Sequence, residues 1–288
     1  MRFSINVAFQ PVHELIPIAQ AADQCGYDAI LMPDHLVDLE TLETPYPYTR
    51  DGSRRWNHDA HWPDPWVLAG AMAAVTTSVR FYTTVYIPAL RSPYQVAKSV
   101  GTAAVLSNNR VALGVGVGWC REEFDLMGQD FGTRGRRTDE ALKLFKELWS
   151  PGWTSVEGEF YPTPNLVMEP TPSARIPIYV GGLSEVGLRR AAHHDGWVGD
   201  MYTTDKAAGF AQRLAEIREE IGADGDFSVI TALTDCMMPE QFAAAEARGI
   251  TDAMTMPWAY YHGLDCSLEQ KIDGVQRFAE DVIKPLAG

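Results

Sequence analysis

Apolar residues along the chain change repeatedly between a spacing of two and a spacing of three to four. Residues 3–9 (FSINVAF) place apolar side chains at alternate positions, which predicts a β-strand, and apolar positions in 12–22 then follow helical spacing. The same change recurs to the end of the chain. Further strands, each with a helical stretch after it, are predicted over residues 28–33, 79–88, 110–116, 176–182, 196–200, 227–233 and 252–258.

A (β/α)8 TIM barrel requires eight strands that are each followed by a helix. The pattern predicts that number of strands in a chain of 288 residues. We therefore predict an α/β fold with one barrel domain over residues 1–288. Two segments are too long for ordinary connections. Residues 38–63, after the second strand, are rich in aromatic residues without a period, which indicates a lid over the carboxyl ends of the strands. Residues 150–175, before the fifth strand, hold five prolines and are predicted to be a covering excursion.

The fourth predicted strand ends in three glycines spaced two apart, in the run VALGVGVGW. A dinucleotide-binding fold would place such glycines after its first strand, as G-x-G-x-x-G opening a helix. The G-x-G-x-G spacing and the polar stretch that follows favour the barrel instead. We interpret Gly114, Gly116 and Gly118 as positions without side chains at which a flat group approaches the backbone.

Charge and composition exclude several classes of partner. The formal net charge is −14, from 38 acidic and 24 basic residues, which would repel nucleic acid and an anionic membrane surface. No apolar run approaches the about 20 residues that span a bilayer, and the N-terminus does not resemble a signal peptide, so we expect a cytoplasmic protein. The four cysteines lack C-x-x-C spacing, and no metal site is predicted.

Four stretches together resemble the luciferase-like monooxygenase superfamily, and more narrowly its branch that uses the deazaflavin coenzyme F420. They are GYDAILMPDH (26–35), residues 88–119 from PALRSPYQVAK to ALGVGVGW, TDEALKLFKELW (138–149) and residues 176–200 from IPIYVGGLSEVG to DGWVGD. The resemblance covers about the first 200 residues. It implies a (β/α)8 barrel that binds a flavin or deazaflavin at the carboxyl ends of its strands, without a metal, and often as a homodimer.

Asp34 and His35 end the second predicted strand and match the family's Asp-His pair beside the coenzyme ring. We predict that both residues are catalytic. The resemblance implies an acid-base or positioning role for His35, which suits a side chain whose ordinary pKa is about 6.5. The alternative is that His35 only satisfies Asp34 and a backbone group.

Thr83, Thr84 and Val85 on the third strand match the place where the family carries a bulge with a non-prolyl cis peptide. The resemblance implies a cis bond between Thr84 and Val85 and a bulge that supports the coenzyme ring from behind. The residue pattern alone indicates an ordinary strand.

Gly181 and Gly182, with Ser184 at the start of a helix, match the family's phosphate site. Glycine lets backbone N–H groups reach phosphate oxygens, and the N-terminus of a helix favours an anion. The alternative is a turn in which Ser184 caps the helix.

Trp119 stands where the sugar-phosphate dehydrogenases of this branch carry a glutamate, which puts that activity in doubt and makes the mouth more apolar. We assign Trp119, with Gly116 and Gly118, to the coenzyme side of the site. Glu122 and Glu123 are interpreted as first-turn charges of a short helix.

Aromatic residues on two segments are candidates for the substrate side. Trp56 and His61 lie in the predicted lid, and Trp258 and Tyr260 follow the eighth strand, where side chains of a barrel reach the site. Trp258 and Tyr260 could equally be packing or interface residues.

The function predicted from these features is hydride transfer between coenzyme F420 and a small organic substrate, with His35 or a lid residue handling the proton. The alternative keeps the fold and changes the cofactor to FMN, which a partner flavin reductase would supply reduced for monooxygenation. A second alternative is a barrel that binds flavin without catalysis.

Overall fold

The computed structural model describes residues 1–287 of the chain. Within that range ten strands form, and in chain order they are β1 (Arg2–Asn6), β2 (Ala29–Met32), β3 (Arg80–Thr83), β4 (Val111–Val115), β5 (Thr154–Val156), β6 (Thr163–Leu166), β7 (Ile178–Gly181), β8 (Gly196–Tyr202), β9 (Ser228–Leu233) and β10 (Asp252–Thr255).

All strands but β5 and β6 close into a barrel in the order β1-β10-β9-β8-β7-β4-β3-β2, and neighbours in that order are parallel. The barrel closes where Arg2 of β1 pairs in register with Asp252 of β10. The predicted (β/α)8 barrel is therefore confirmed. The first strand is shorter than predicted, because the chain turns after Asn6 and Phe9 takes a left-handed conformation with φ of 64°.

The helices surround the barrel, and their ends follow local sequence signals. Gly26 ends the first helix at φ 77°, while Pro65 and Pro93 each begin a helix. The α-helices are α1 (Val12–Cys25), α2 (Pro65–Ala73), α3 (Pro93–Leu106), α4 (Arg121–Leu126), α5 (Arg134–Leu148), α6 (Glu185–Ala192), α7 (Thr204–Glu220), α8 (Pro239–Glu246), α9 (Leu268–Phe278) and α10 (Lys284–Ala287). Short 3-10 turns lie at Pro88–Leu90 and Pro257–Tyr260, and a π-helical turn at Ala279–Ile283 joins α9 to α10.

The interior of the barrel is filled by side chains from alternate strand positions. Tyr82 and Tyr179 meet there edge to face at 5.3 Å between ring centroids, and the hydroxyl of Tyr82 lies 3.2 Å from Oγ of Ser4. The remaining members of this inner cluster are Ala29, Leu31, Ala112, Val198, Ile230 and Met254. Since the centre is packed, a ligand has room only at an end of the barrel.

The excursion before the fifth barrel strand forms a two-stranded antiparallel sheet of β5 and β6. Glu140 of α5 holds it, since its carboxylate accepts hydrogen bonds from the N–H groups of Glu159 and Phe160, at 3.0 Å each. Tyr94 of α3 also contacts Thr163 of β6 through a hydroxyl pair at 2.8 Å. The excursion therefore covers the outer helices of the barrel.

Two features of residues 1–287 concern membranes and metal ions. None of the helices in this range is both long enough and apolar enough to cross a lipid bilayer. The same residues contain no group of three or more histidine, cysteine or carboxylate side chains placed to hold a metal ion.

Candidate active site

The glycines at the end of β4 make room for the end of β3. A Cβ atom added to Gly114 would lie 1.9 Å from the carbonyl oxygen of Thr83, and one added to Gly116 would lie 2.5 Å from Cγ2 of Val85. Phe124 fills the space beside Gly118 in the same way, at 2.7 Å. The interpretation that these glycines leave open space for a ligand is therefore corrected, because the protein itself occupies that space.

Val85 is held between two glycines of neighbouring strands. A Cβ atom added to Gly181 of β7 would lie 2.9 Å from Cγ1 of Val85, while Cγ2 of the same side chain faces Gly116. The Thr84–Val85 peptide bond is cis, which confirms the prediction. The Oγ1 atom of Thr84 is buried and has no hydrogen-bond partner among the residues described. Thr83, in contrast, is fully buried and bonds through its hydroxyl to the backbone of Gly114, so it supports the bulge.

Asp34 is committed to an ion pair. Its carboxylate accepts two hydrogen bonds from the guanidinium of Arg91, at 2.7 and 2.8 Å, and a third from the backbone N–H of Ile87 at 3.0 Å. The side chains of Asp34 and Arg91 are only 1% and 13% exposed. Asp34 was predicted to be catalytic, but these contacts place it in the support of the loops after β2 and β3.

His35 pairs with Glu123 instead of Asp34. Its Nδ1 atom lies 2.9 Å from Oε2 of Glu123, whose other carboxylate oxygen accepts a hydrogen bond from the N–H of Leu36 at 2.9 Å. Burial by itself raises the pKa of the Glu123 carboxyl, but the hydrogen bond from His35 and the nearby N–H groups outweigh burial and lower it. Because Nδ1 of His35 is hydrogen-bonded to Glu123, Nε2 is the nitrogen that can exchange a proton with a ligand.

The lid covers His35 with aromatic rings. It consists of residues 38–63, which lie between Met32, where β2 ends, and Pro65, where α2 begins. The ring of His35 lies 5.2 Å from Trp56 and 4.7 Å from Trp62, and 5.8 Å from Trp119 at the end of β4. Between them, these three tryptophans also contact Phe9 and Tyr46. We call the five rings the aromatic cluster, and it consists of Phe9, Tyr46, Trp56, Trp62 and Trp119.

Polar contacts fix the lid at three places around the mouth. Arg55 forms a two-pronged ion pair with Asp200 near the end of β8, at 2.7 and 2.8 Å. Glu122 of α4 accepts hydrogen bonds from the N–H groups of Glu43 and Thr44, at 2.8 Å each. On the third side, Nδ1 of His61 accepts a hydrogen bond from the N–H of Val12 at 3.0 Å. His61, predicted to contact substrate, is thus placed at the base of the lid.

The space left beside His35 is small. The cavity there has a volume of about 10 Å³ and is bordered by the lid and by Trp119 and Cys120. Sites for small molecules and cofactors usually measure about 300 to 1,000 Å³. A tricyclic ring therefore needs the lid to move before it can lie against His35.

The comparisons with known proteins agree with this architecture. The family described as luciferase-like monooxygenase matches residues 1–266 of the chain. The chain belongs to this family. It is thus an enzyme of an oxidoreductase and monooxygenase superfamily, and the resemblance predicted from the sequence is confirmed.

Individual relatives of this luciferase-like enzyme include characterised and uncharacterised proteins. An uncharacterized protein of Mycobacterium tuberculosis is 36% identical over 285 residues, which cover 98% of this chain and 99% of the relative. The F420-dependent glucose-6-phosphate dehydrogenase of Amycolatopsis mediterranei is 28% identical over 228 residues, covering 75% of this chain and 63% of the relative. The crystal structure of the monooxygenase RslO1 from Streptomyces bottropensis matches with a TM-score of 0.77 at 16% identity and covers 99% of both chains, which shows the fold. Proteins that use coenzyme F420 and proteins in complex with FMN both occur among the matches.

The turn after β7 in this luciferase-like barrel has the geometry of a capped helix start. Ser184 caps α6 by accepting a hydrogen bond from the N–H of Gly187 at 3.2 Å, which is the alternative that the sequence allowed. Gly182 has φ of 148°, and a Cβ there would lie 3.2 Å from Cα of Gly187. None of the hydrogen bonds among residues 1–287 uses the backbone N–H of Leu183 or Ser184. A phosphate at this turn stays a prediction.

Trp258 and Tyr260 pack against the C-terminal helix. Trp258 is 0% exposed, and its backbone lies 2.4 Å from where a Cβ on Gly274 of α9 would stand. Tyr260 meets Phe278 edge to face at 4.9 Å. The structure therefore places these two residues in the outer core, and neither has a ring contact with the aromatic cluster in the part of the chain described. Aromatic residues that follow a strand in the sequence can belong either to the core or to a binding site, because both environments bury apolar surface.

Sequence reasoning missed Glu123 and Asp200. The sequence pattern presents Glu123 only as a first-turn charge of α4 and Asp200 only as the last residue of a predicted strand. Their partners, His35 and Arg55, are 88 and 145 residues away in the sequence. A pairing over such a distance has no local signal.

We expect the attachment of the lid to Glu122 to weaken at acid pH. Burial opposes ionisation of Glu122, but the N–H groups of Thr44 and Glu43 outweigh it and lower the pKa of the carboxyl to about 2. A carboxyl whose pKa is lowered by folding adds stability that is complete above its ordinary pKa of 4.5 and is lost as the pH falls toward 2. Hydrogen exchange of residues 43 and 44, corrected for its intrinsic pH dependence, should therefore rise over that interval. The variant Glu122→Ala removes the acceptor and should show fast exchange already above it, and an unchanged pH profile in that variant would contradict the assignment.

Proposed function

We propose that the chain is a coenzyme F420-dependent oxidoreductase that transfers a hydride between the deazaflavin and a small organic substrate. The observation that carries the proposal is His35, which lies at the mouth with Nδ1 held by the buried Glu123 and Nε2 free of that contact. A histidine oriented in this way can give or take the proton that accompanies a hydride. The relative described as an F420-dependent dehydrogenase supports the choice of coenzyme.

The residues present fit a flat ring with polar edges. The bulge at 83–85 presents Thr84, whose buried Oγ1 has no hydrogen-bond partner among the residues described, beside Val85. A hydroxyl of this kind is a donor and an acceptor, so it matches the amide-like edge of a deazaflavin or flavin. Thr84 and Val85 would therefore hold the ring, and the turn from Gly181 to Ser184 would hold the phosphate. When bound, the deazaflavin supplies or accepts the hydride.

The protein's own residues position the reactants, transfer a proton and exclude water. Asp34 and Arg91 fix the segment that carries His35, and Glu123 fixes its ring. The aromatic cluster excludes water from the space around His35, which strengthens electrostatic interactions and prevents competing reactions. Holding two partners in contact can lower a barrier by about 7 to 11 kcal/mol, so a lid that closes over them is a large part of the proposed catalysis.

FMN-dependent monooxygenation is the second candidate, and the relatives in complex with FMN favour it. The same mouth and the same phosphate turn would serve a flavin. In that case a flavin reductase would supply the reduced cofactor. Both that partner and a homodimer stay predictions.

Fluorescence titration with each cofactor separates the two candidates. Purified protein is titrated with coenzyme F420 and, separately, with oxidised and reduced FMN, and tryptophan quenching is recorded. We expect saturable binding of coenzyme F420 and weaker binding of either form of FMN. The matched control is Trp153→Ala, which removes a tryptophan that is 72% exposed on the excursion. Tight FMN binding without binding of coenzyme F420 would overturn the proposal.

A further inference from the structure

Trp56 lies at the centre of the aromatic cluster. Phe9 stacks on it with ring centroids 5.8 Å apart and planes 18° from parallel. Tyr46 and Trp62 present their edges to it at 5.1 Å each. Together with the ring of His35 at 5.2 Å, these contacts surround one planar indole on several sides. Aromatic rings prefer these stacked and edge-to-face contacts, so a planar ring that replaced the indole would find the same partners.

The backbone after β1 is shaped to present Phe9. Its φ of 64° lies in the left-handed region, which bulky residues rarely adopt. A side-chain hydrogen bond from the N–H of Ala8 to Oδ1 of Asn6, at 2.8 Å, accompanies this turn. Non-glycine residues in this region concentrate at ligand sites, where the fold enforces them. Phe9 is therefore a fixed wall of the cluster, whereas Trp56 belongs to the lid.

Polar groups in and beside the cluster lack partners. The indole N–H groups of Trp56 and Trp62 are buried and have no acceptor among residues 1–287, and Oδ2 of Asp38 in the adjoining cavity has no donor there. Arg54 and Arg55 are already paired with carboxylates, on Asp38 and Asp200. The indole N–H of Trp62 favours a carbonyl on a ligand that replaces Trp56, while a free carboxylate oxygen without an unpaired cation beside it disfavours an anion.

We propose that the indole of Trp56 occupies the place where the ring of the substrate binds, and that this substrate is an uncharged planar ring compound with a carbonyl group. The side chain of Trp56 withdraws when the substrate enters, whereas Phe9 remains as the surface on which the substrate stacks and Trp62 remains to donate its N–H to the carbonyl. The identification of this ligand as a substrate rests on the proposed function. The binding place itself does not.

The test uses 2-acetylnaphthalene, a planar ketone, and 2-naphthoate, which has the same rings and a negative charge. Calorimetry should show that 2-naphthoate binds at least about tenfold more weakly, because its carboxylate would be buried near Asp38. Phe9→Ala should weaken binding of the ketone about five- to tenfold through loss of stacking. Trp56→Ala should tighten it by about threefold or more, because the place is then vacated without lid movement. Trp153→Ala should leave both affinities unchanged.

Several results would overturn the inference. They are equal binding of the two probes, weaker binding of the ketone to Trp56→Ala, and an unaltered affinity in Phe9→Ala. Circular dichroism of each variant confirms that it is folded, and Trp56→Phe provides a second variant that keeps a ring of smaller size. Competition between coenzyme F420 and the ketone would assign the place to the coenzyme and would also overturn it. Absence of coenzyme F420 binding, with the probe results as expected, would reject only the proposed function.

Discussion

Replacing His35 with alanine is expected to lower turnover by about 100- to 10,000-fold, the usual contribution of a positioned acid-base group. Coenzyme affinity should change little, because the proposed ring and phosphate contacts come from Thr84, Val85 and the turn after β7. Turnover with the reduced or oxidised coenzyme is measured by its absorbance, and affinity is measured by tryptophan quenching. A fall in both quantities together would instead indicate that His35 holds the coenzyme.

Glu123→Gln is the companion variant for this prediction. Glutamine can still accept a hydrogen bond from the N–H of Leu36, but it brings no charge to Nδ1 of His35. We expect kcat to fall by less than in His35→Ala and KM to stay nearly constant, since Glu123 acts through His35 as a positioning residue. Full activity in both variants would contradict the proposed role of His35.

Asp34→Ala is expected to destabilise the protein by about 3 to 5 kcal/mol, the cost of removing one partner of a buried ion pair. The variant leaves the guanidinium of Arg91, 13% exposed, without its carboxylate, and the N–H of Ile87 without its acceptor. Urea denaturation followed by circular dichroism measures the change in the free energy of unfolding. The matched control is Glu159→Gln, whose pair with Arg136 is more than 60% exposed on both sides and should contribute about 0 to 1 kcal/mol.

A double variant tests the reason for this loss. Asp34→Leu combined with Arg91→Met removes both charges, so it should recover much of the stability that Asp34→Ala loses. If Asp34→Ala has the same free energy of unfolding as the native protein but loses turnover, the catalytic role predicted for Asp34 from the sequence is correct and the structural role is wrong.

The order of elements could be predicted from the sequence because local spacing reports which face of a segment is buried. Alternating or continuous apolar residues in 28–33 and 110–116 indicate strands, and Gly26 and Pro93 mark where helices end or begin. Eight such units leave few arrangements other than a closed barrel. The length of the segment after β2 likewise indicated the lid before any contact was known.

The sequence by itself therefore determined the barrel, the lid and the place of His35 at the end of a strand. Only the tertiary structure decided what each polar side chain contacts. Asp34 and His35 are neighbours in the chain, yet one turns to Arg91 and the other to Glu123. The side chain of Val85 occupies the space beside Gly116, and Trp258 packs in the core. The physical reason is that periodicity depends on neighbours within one element, whereas a contact depends on where closure of the barrel brings distant loops together.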